Sequence, residues 1–600
     1  MKRPPKTENE LGAFLRKTTV GGRMSNKSDL LKVYHELAKR GKIKKSEALE
    51  RLLTKRAVRT LSGVAIVTVL TKPFPCPGRC LYCPDEKKMP KSYLSDEPAA
   101  ARALLLNFDP YEQVARRIEA LEKNGHPTDK IELIVKGGTW NAYPADYQYW
   151  FIRRCYEAAN ARFVILNEAT CLPAGRKRSE ESFLCHSAAP RWGPFGKSGN
   201  PSRLDPRLRG DDKKMLAYLI AALSKAQKKN ETAKHRVIGL TLETRPDCVN
   251  EKNIQIMREL GATRIELGVQ TIDDKILKLV RRGHNAAETV RATKLLKNYG
   301  FKVDYHLMPQ LPGATTASDL KNLLAIFKNP DYRPDMLKIY PCVAVKNSPL
   351  SRLYKAGKYK PYSVRQLIEV IKKFKTKIPY YVRVSRLIRD IPSHHIVAGN
   401  KITNLRQTIQ AEMAAEGKKC RCLRCREIGH ATQAVADLSF PRRRESIRPK
   451  LFIEKYQASG GTEYFLSYED PRRQVVFAFC RLRLCHCEEA ADRRSNPIAK
   501  TAGLLRHSVP RNDTAYPAFL RELHTYGQLA SIKQNNNKTN KQKGKKIQHT
   551  GLGKKLLAEV EKICKKNKIP KLAVISGVGV REYYRKSGYK LENGYMVKNF

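Results

Sequence analysis

Cys76-Pro-Gly-Arg-Cys80-Leu-Tyr-Cys83-Pro is the stretch of the chain best suited to chemistry. Its three cysteines, at C-x3-C-x2-C spacing, follow the apolar run Val64 to Leu70 at what reads as a strand-to-loop exit. Thiolates so spaced can hold three irons of a cubane cluster and leave the fourth without a protein ligand. An open metal position suits chemistry, because substrate or cofactor must bind there; structural sites close their coordination. A zinc knuckle is the competing arrangement, but no second C-x2-C or histidine pair follows nearby. Further along, Lys418-Lys-Cys420-Arg-Cys422-Leu-Arg-Cys425-Arg-Glu-Ile-Gly-His430 gathers three cysteines and a histidine. That density suits tetrahedral zinc, with His430 the nearest fourth ligand. The alternative is a basic, RNA-facing loop carrying free thiols.

The elements that must position the first triad read as alternating strands and helices. Strand-like runs occur near Val64 and Ile131, then at Val237 to Glu243, Arg264 to Val269, Val303 to Met308, Met336 to Tyr340 and Tyr381 to Val384. This alternation predicts parallel β/α units, hence an α/β fold. In β/α barrels ligands gather at the C-terminal strand ends. Polar residues and glycines cluster at those ends here: Gly137-Gly138, Glu243-Thr-Arg245, Gly268-Val-Gln270 and His306 to Gln310. Paired glycines at a strand end let the backbone approach a ligand closely.

C-x3-C-x-aromatic-C, with Tyr82 as the aromatic residue, resembles the signature of the radical S-adenosylmethionine (SAM) superfamily. The longer run from Leu61 to Cys80 resembles one branch of it, the catalytic subunit of Elongator and its free-standing archaeal and bacterial relatives. The resemblance implies a partial (β/α)6 radical SAM barrel, a [4Fe-4S] cluster on Cys76, Cys80 and Cys83, and SAM. Gly137 and Gly138 match the segment that binds the SAM methionine amino group. Gln270 is a further candidate SAM contact. Glu243 and Arg245 could hold ribose hydroxyls and a carboxylate, since arginine offers a bidentate fork; a helix-capping salt bridge is the alternative. Lys130 matches a lysine assigned to acetyl-CoA contact, against the reading of an ordinary strand-flanking lysine.

From Lys450 the character changes to antiparallel strands, with Phe519 to Thr525 another strand after an interruption. Gln548-His-Thr-Gly551-Leu552-Gly553-Lys554-Lys555 then opens an amphipathic helix, a turn that can present backbone N–H groups to a pyrophosphate. It resembles the coenzyme A loop of the GNAT acetyltransferases, an α+β fold. Tyr584 matches the tyrosine that contacts acetyl-CoA in the Elongator family, and Tyr583 is a second candidate whose alternative is core packing. The same resemblance makes Glu522, Leu523, His524 and Thr525 candidate cofactor contacts. The expected organisation is a basic tRNA-contacting region (residues 1–60), a radical SAM domain (61–395), a cysteine-rich linker (396–449) and the acetyltransferase domain (450–600). Two stretches, about 165–220 and 485–514, read as loop-like inserts with little apolar periodicity. Cys485-His486-Cys487 falls in the second and is not read as a metal site.

Lysine and arginine total 116 against 57 acidic residues, a formal net charge of +59 spread along the chain. Such an excess favours a polyanionic partner through counterion release, without saying which one. Fifteen cysteines and a start without an apolar segment point to a reducing cytoplasm. No stretch reaches the roughly 18–20 apolar residues of a membrane span.

Together the two cofactor sites imply a tRNA-modifying acyltransferase. A deoxyadenosyl radical would abstract hydrogen from acetyl-CoA, and a carboxymethyl group would be added to C5 of the wobble uridine. An electron donor is required, and a homodimer or accessory subunits stay open. Two other readings compete: a GNAT acetyltransferase acting on protein lysines with a structural cluster, and an RNA-binding scaffold disabled by its inserts.

Overall fold

The computed structural model describes residues 5, 7–17, 19–20, 23–24, 26–55, 60, 62–161, 211–428, 449–485, 516–526 and 551–600. Seven strands form one parallel sheet in sequential order: β1 (Ala65–Leu70), β2 (Lys130–Lys136), β3 (Arg236–Thr244), β4 (Arg264–Gln270), β5 (Lys302–Leu307), β6 (Met336–Ile339) and β7 (Arg383–Arg386). The sheet curls into an open half-barrel, with its two edge strands unpaired to each other. Alternation along β2 explains the two faces. Ile131, Leu133 and Val135 are buried against the helical layer, while Glu132, Ile134 and Lys136 line the lumen. Helices with capped N-termini return the chain between strands; Asp109 caps Pro110–Lys123 by accepting from Glu112 N–H, and Asn250 caps Glu251–Glu259 likewise.

The helix Asp211–Asn230 begins inside the stretch expected to be a loop. Its apolar residues Leu219, Leu223 and Ala226 pack into the main core, a periodicity hidden by the lysines around it.

The C-terminal half is a mixed seven-stranded sheet: β8 (Lys450–Ala458), β9 (Gly461–Glu469), β10 (Val476–Cys485), β11 (Ala518–Thr525), β12 (Lys571–Val574), β13 (Lys590–Glu592) and β14 (Tyr595–Asn599), in the order β8-β9-β10-β11-β12-β14-β13. Only β11 and β12 pair in parallel, joined through the helix Leu552–Lys566. Cys485, expected to start the second insert, is the last residue of β10. The β10–β11 ladder continues to Leu484 opposite Ala518, and Cys485 N–H donates to Pro517 C=O at 2.9 Å.

The two halves share a core, in which Phe465, Phe479 and Phe519 join the barrel's apolar residues. Buried charges cross the junction. Arg521 on β11 donates to both Asp335 oxygens (2.7 and 2.5 Å) and to Phe301 C=O (2.8 Å). Arg481 on β10 reaches Tyr381 C=O at 2.7 Å, and Arg483 reaches Asn298 at 3.1 Å. Among the described residues no helix is long and apolar enough to cross a membrane.

Candidate active site

The cysteine loop leaves the C-terminal end of β1 and is pinned by main chain. Leu81 N–H donates to Val280 C=O (3.1 Å), and its own C=O accepts from Leu350 N–H (2.8 Å). Cys76, Cys80 and Cys83 are free thiols. The Arg282 guanidinium donates to Cys80 Sγ at 3.4 Å. A hydrogen bond with Cys83, opposed by burial and helped by Arg282, brings the Cys80 thiol down to about 4. The same bond and burial push Cys83 up. Arg282 is itself fixed by Gly268 C=O (3.2 Å) and His284 Nε2 (3.1 Å).

Arg245 braces the loop from below. Asp247 holds its Nε and Nη2 (2.9 and 2.8 Å), and Nη2 also donates to Arg282 C=O (2.8 Å). This is the local salt bridge that the sequence left open, but the third nitrogen is spared: Nη1 is buried without a hydrogen-bond partner among the described residues. It faces Gly78, where a Cβ would lie 2.2 Å from it. A cationic donor left unpaired beside three thiols suits a site for anionic groups, since orphaned buried donors are rare. Gly137 and Gly138 follow β2 with φ of 135° and 102°. A Cβ on Gly137 would sit 1.8 Å from Thr71 Oγ1, whereas Gly138 opens on the lumen. Gln270, ending β4, also has a left-handed φ of 70°, and lines the same space.

Inside the lumen, charge is fixed by a network spanning five strands. Lys136 pairs with Glu243 at 2.9 Å and also with Glu266; His306 lies 3.4 Å from Glu243 and 3.0 Å from Glu266; Lys338 closes on Glu266. Burial opposes the charge of Glu243, but Lys136 and His306 outweigh it and hold the carboxyl well below its usual range. Glu243, Glu266 and His306 are close enough to share a metal ion, but two ammonium groups already neutralise them. Asp304, buried beside them with neither oxygen hydrogen-bonded, is pushed up by burial to about 6.

The lumen continues into the C-terminal half as one cavity of about 810 Å³. Cys76, Cys83, Gly138, Glu243, Arg245 and Gln270 line one end; Glu522, Leu523, His524 and Tyr584 line the other. Burial pushes Glu522 up, but Lys302 and Arg481 prevail and hold it at about 2. His524 is half-buried, with its buried Nε2 unpartnered among the described residues, its ring 4.4 Å from that of Tyr526, and burial lowers its pKa. Tyr584 is buried edge-on to Tyr583, centroids 5.2 Å apart.

Tyr583 faces away from the cavity toward the glycine turn. Its hydroxyl lies 3.1 Å, and Thr525 Cγ2 3.5 Å, from where a Gly553 Cβ would be. Gly551, left-handed at φ 81°, caps the helix that begins at Leu552, and Lys554 and Lys555 are exposed on its first turn. Gln548 and His430 lie outside the described residues. Lys130 begins β2, at the opposite end from Gly137; burial lowers its pKa. It pairs in register with Arg236, against which Gly579 of the C-terminal half packs.

Cys420, Cys422 and Cys425 form a separate, tighter cluster whose ligand atoms all lie within 4.8 Å of one another. Lys375 Nζ and Gln410 Nε2 stand 3.8 and 3.5 Å from Cys425 Sγ. Hydrogen bonds within the triad, opposed by burial and aided by Lys375 and Arg406, hold the Cys422 thiol well below its usual range.

Sequence reasoning missed Arg282, Lys136, Glu266 and Lys338. The available signal was a charged residue at an inward position of an otherwise apolar strand, together with the run Arg281-Arg282-Gly283-His284.

Comparison with known proteins follows the same outline. The radical SAM superfamily profile matches residues 206–324, and the radical SAM C-terminal domain profile matches residues 334–415. The tRNA uridine(34) acetyltransferase of Methanocaldococcus infernus is 41% identical, covering 95% of this chain and 94% of that protein. That of Dehalococcoides mccartyi is 38% identical over 91% and 99%, and human (Homo sapiens) Elongator complex protein 3 is 32% identical over 91% and 86%. The solved archaeal Methanocaldococcus infernus Elp3 with an N-terminal deletion (1-46) superposes with a TM-score of 0.65 at 38% identity, covering 90% of this chain and 100% of that one. Sharing sequence along nearly its whole length, the chain belongs to the family of tRNA uridine(34) acetyltransferases and Elongator complex protein 3.

Proposed function

We propose that this chain adds a carboxymethyl group to C5 of the wobble uridine of tRNA, using a [4Fe-4S] cluster, SAM and acetyl-CoA. The observation that carries the reading is the single cavity joining the cysteine loop to Tyr584. A structural cluster in a lysine acetyltransferase would need no such passage.

Cys76, Cys80 and Cys83 would hold the cluster, with Arg282 compensating its thiolate charge. Gly138, Gln270 and the spare Arg245 nitrogen flank the space for SAM. When bound, cluster and SAM supply a hydrogen-abstracting carbon radical; the protein's part is binding, orientation and exclusion of water. In the C-terminal half, backbone N–H groups after Gly551 would face the coenzyme A pyrophosphate. Thr525 and Tyr583 border that turn, and Tyr584 would direct the acetyl end into the cavity. Glu522, Leu523 and His524 wall the passage, and Lys130 stands outside it, beside Arg236 at the far end of β2. The Lys136–Glu243–His306–Glu266–Lys338 network keeps fixed dipoles along the path, so they need not reorganise as charge moves.

The net charge of +59 and the names of the relatives support tRNA as the polyanion, with residues 1–60 among its contacts. Cys420, Cys422 and Cys425 suit structural zinc. A cytoplasmic location and an external electron donor go with this reading.

The test is anaerobic reconstitution with iron and sulfide, then SAM, dithionite, acetyl-CoA and unmodified tRNA, with Cys80→Ser as control. Mass spectrometry should find 5′-deoxyadenosine and carboxymethylated uridine, both lost in the control. Acetyl transfer to protein lysines that survives Cys80→Ser, with uridine unmodified, would overturn the reading.

A further inference from the structure

Asp96, His394 and His395 meet beside the cavity mouth, and nothing in the proposed reaction uses them. His394 Nε2 and His395 Nε2 lie 3.0 and 2.8 Å from the same oxygen, Asp96 Oδ2. All three ligand atoms fall within 4.8 Å of one another. We propose that these side chains form a surface site for a divalent transition-metal ion of the zinc type.

The geometry suits such an ion. Zinc binds imidazole nitrogen and carboxylate oxygen at about 2.0–2.2 Å, so ligand atoms on one tetrahedral ion stand about 3.3–3.6 Å apart. The two separations from Asp96 Oδ2 would open by less than about 1 Å to reach that spacing, and the two imidazole nitrogens already lie within 4.8 Å of each other. Two imidazoles and one carboxylate favour zinc, nickel or copper over magnesium or calcium, which prefer oxygen alone. In contrast to the lumen cluster, no lysine or arginine fills this one: among the described residues the ion-pair partners of Asp96 are the two histidines. His394 is 65% exposed, so an ion can enter from solvent.

The ligands are held by ordered backbone on both sides. His395 N–H donates to Pro392 C=O (3.1 Å), and its C=O accepts from Lys346 N–H (2.9 Å). On the facing segment, Arg389 grips Ser92 Oγ (2.7 Å) and Glu97 Oε1 (2.8 Å). Bound metal would therefore be a second clasp between residues 92–97 and 393–395, across the segment that carries Tyr93. Tyr93 donates to Glu243 in the cavity at 3.3 Å, so the clasp would steady one wall of the passage.

The test is zinc titration by calorimetry of the full chain, its iron–sulfur cluster reconstituted and its cysteine zinc site filled, against Asp96→Asn and the His394→Ala/His395→Ala double variant. One binding step should weaken at least about tenfold in both, the scale that even outer-sphere changes can reach. Zinc should also slow amide exchange across residues 92–97 in the parent alone. Metal-free melting temperatures serve to show that the variants are folded. Identical isotherms in parent and double variant, or exchange unaffected by zinc, would overturn the proposal and leave a hydrogen-bonded surface triad.

Discussion

Two cysteine triads in one chain sit in different surroundings. Cys76 and Cys83 open on a large cavity, with Cys80 buried behind them, and the triad has arginines as neighbours: Arg282 bonded to Cys80, and Arg245 with one nitrogen unspent. Cys420, Cys422 and Cys425 close on themselves within 4.8 Å; none of the three lines the cavity, although Arg424 between them does, and Lys375 and Gln410 are their donors. Spacing sets part of the difference, since C-x-C-x2-C brings the sulfurs closer than C-x3-C-x2-C. Surroundings set the rest. The first triad lies at strand ends, above glycines; the second lies beside a helix.

The sharpest way to break this comparison is to exchange the damage. Cys80→Ser should reduce 5′-deoxyadenosine formation to background, whereas Cys425→Ser should leave it near the parental level and lower the melting temperature instead. Mass spectrometry and thermal denaturation on both variants decide it, and the opposite pattern would reverse the roles assigned here. Outside both triads, Arg521→Ala leaves Asp335 and Glu463 buried without their shared cation. About 3–5 kcal/mol of stability should be lost, as is usual when one partner of a buried pair is removed; denaturant titration measures it.

Next in size, Gly137→Ala forces a side chain onto Thr71 and into a left-handed backbone. It should cost about 1–3 kcal/mol and weaken SAM binding, read by equilibrium dialysis. The mildest test exchanges the cations. In the cluster-free chain Cys80 is held at about 4, so its thiolate persists as pH falls. Arg282→Met should move the midpoint of Cys80 alkylation to higher pH and slow alkylation at pH near 6. Lys375→Met should do the same to Cys422 and leave Cys80 alone.

Much of the barrel was legible because most strands are short, largely apolar runs between helices, and all seven runs named from the sequence are strands of the sheet. The cysteine loop and Gly137-Gly138 were legible because their meaning is local: a spacing, and a backbone only glycine readily adopts. The Lys136–Glu243–His306–Glu266–Lys338 network was not. Its members are single residues on five strands, joined only by the curl of the sheet. Arg521 with Asp335 and Asp96 with His394 were hidden for the same reason. The helix Asp211–Asn230 was missed because lysines blurred its apolar stripe.

The junction between the halves bears on inheritance. Arg481, Arg483 and Arg521 are almost wholly buried in the C-terminal sheet, yet Asp335, Asn298 and the carbonyls of Tyr381 and Phe301 that satisfy them belong to the barrel. A gene fragment encoding the C-terminal half alone would leave these arginines only Glu463, Glu522 and the carbonyls of Ala458 and Ser459, and one encoding the barrel alone would strip Asp335 of its arginines. Recombination could not exchange one half for that of a distant relative unless both sides of the seam came with it, so the two halves are held to a common line of descent.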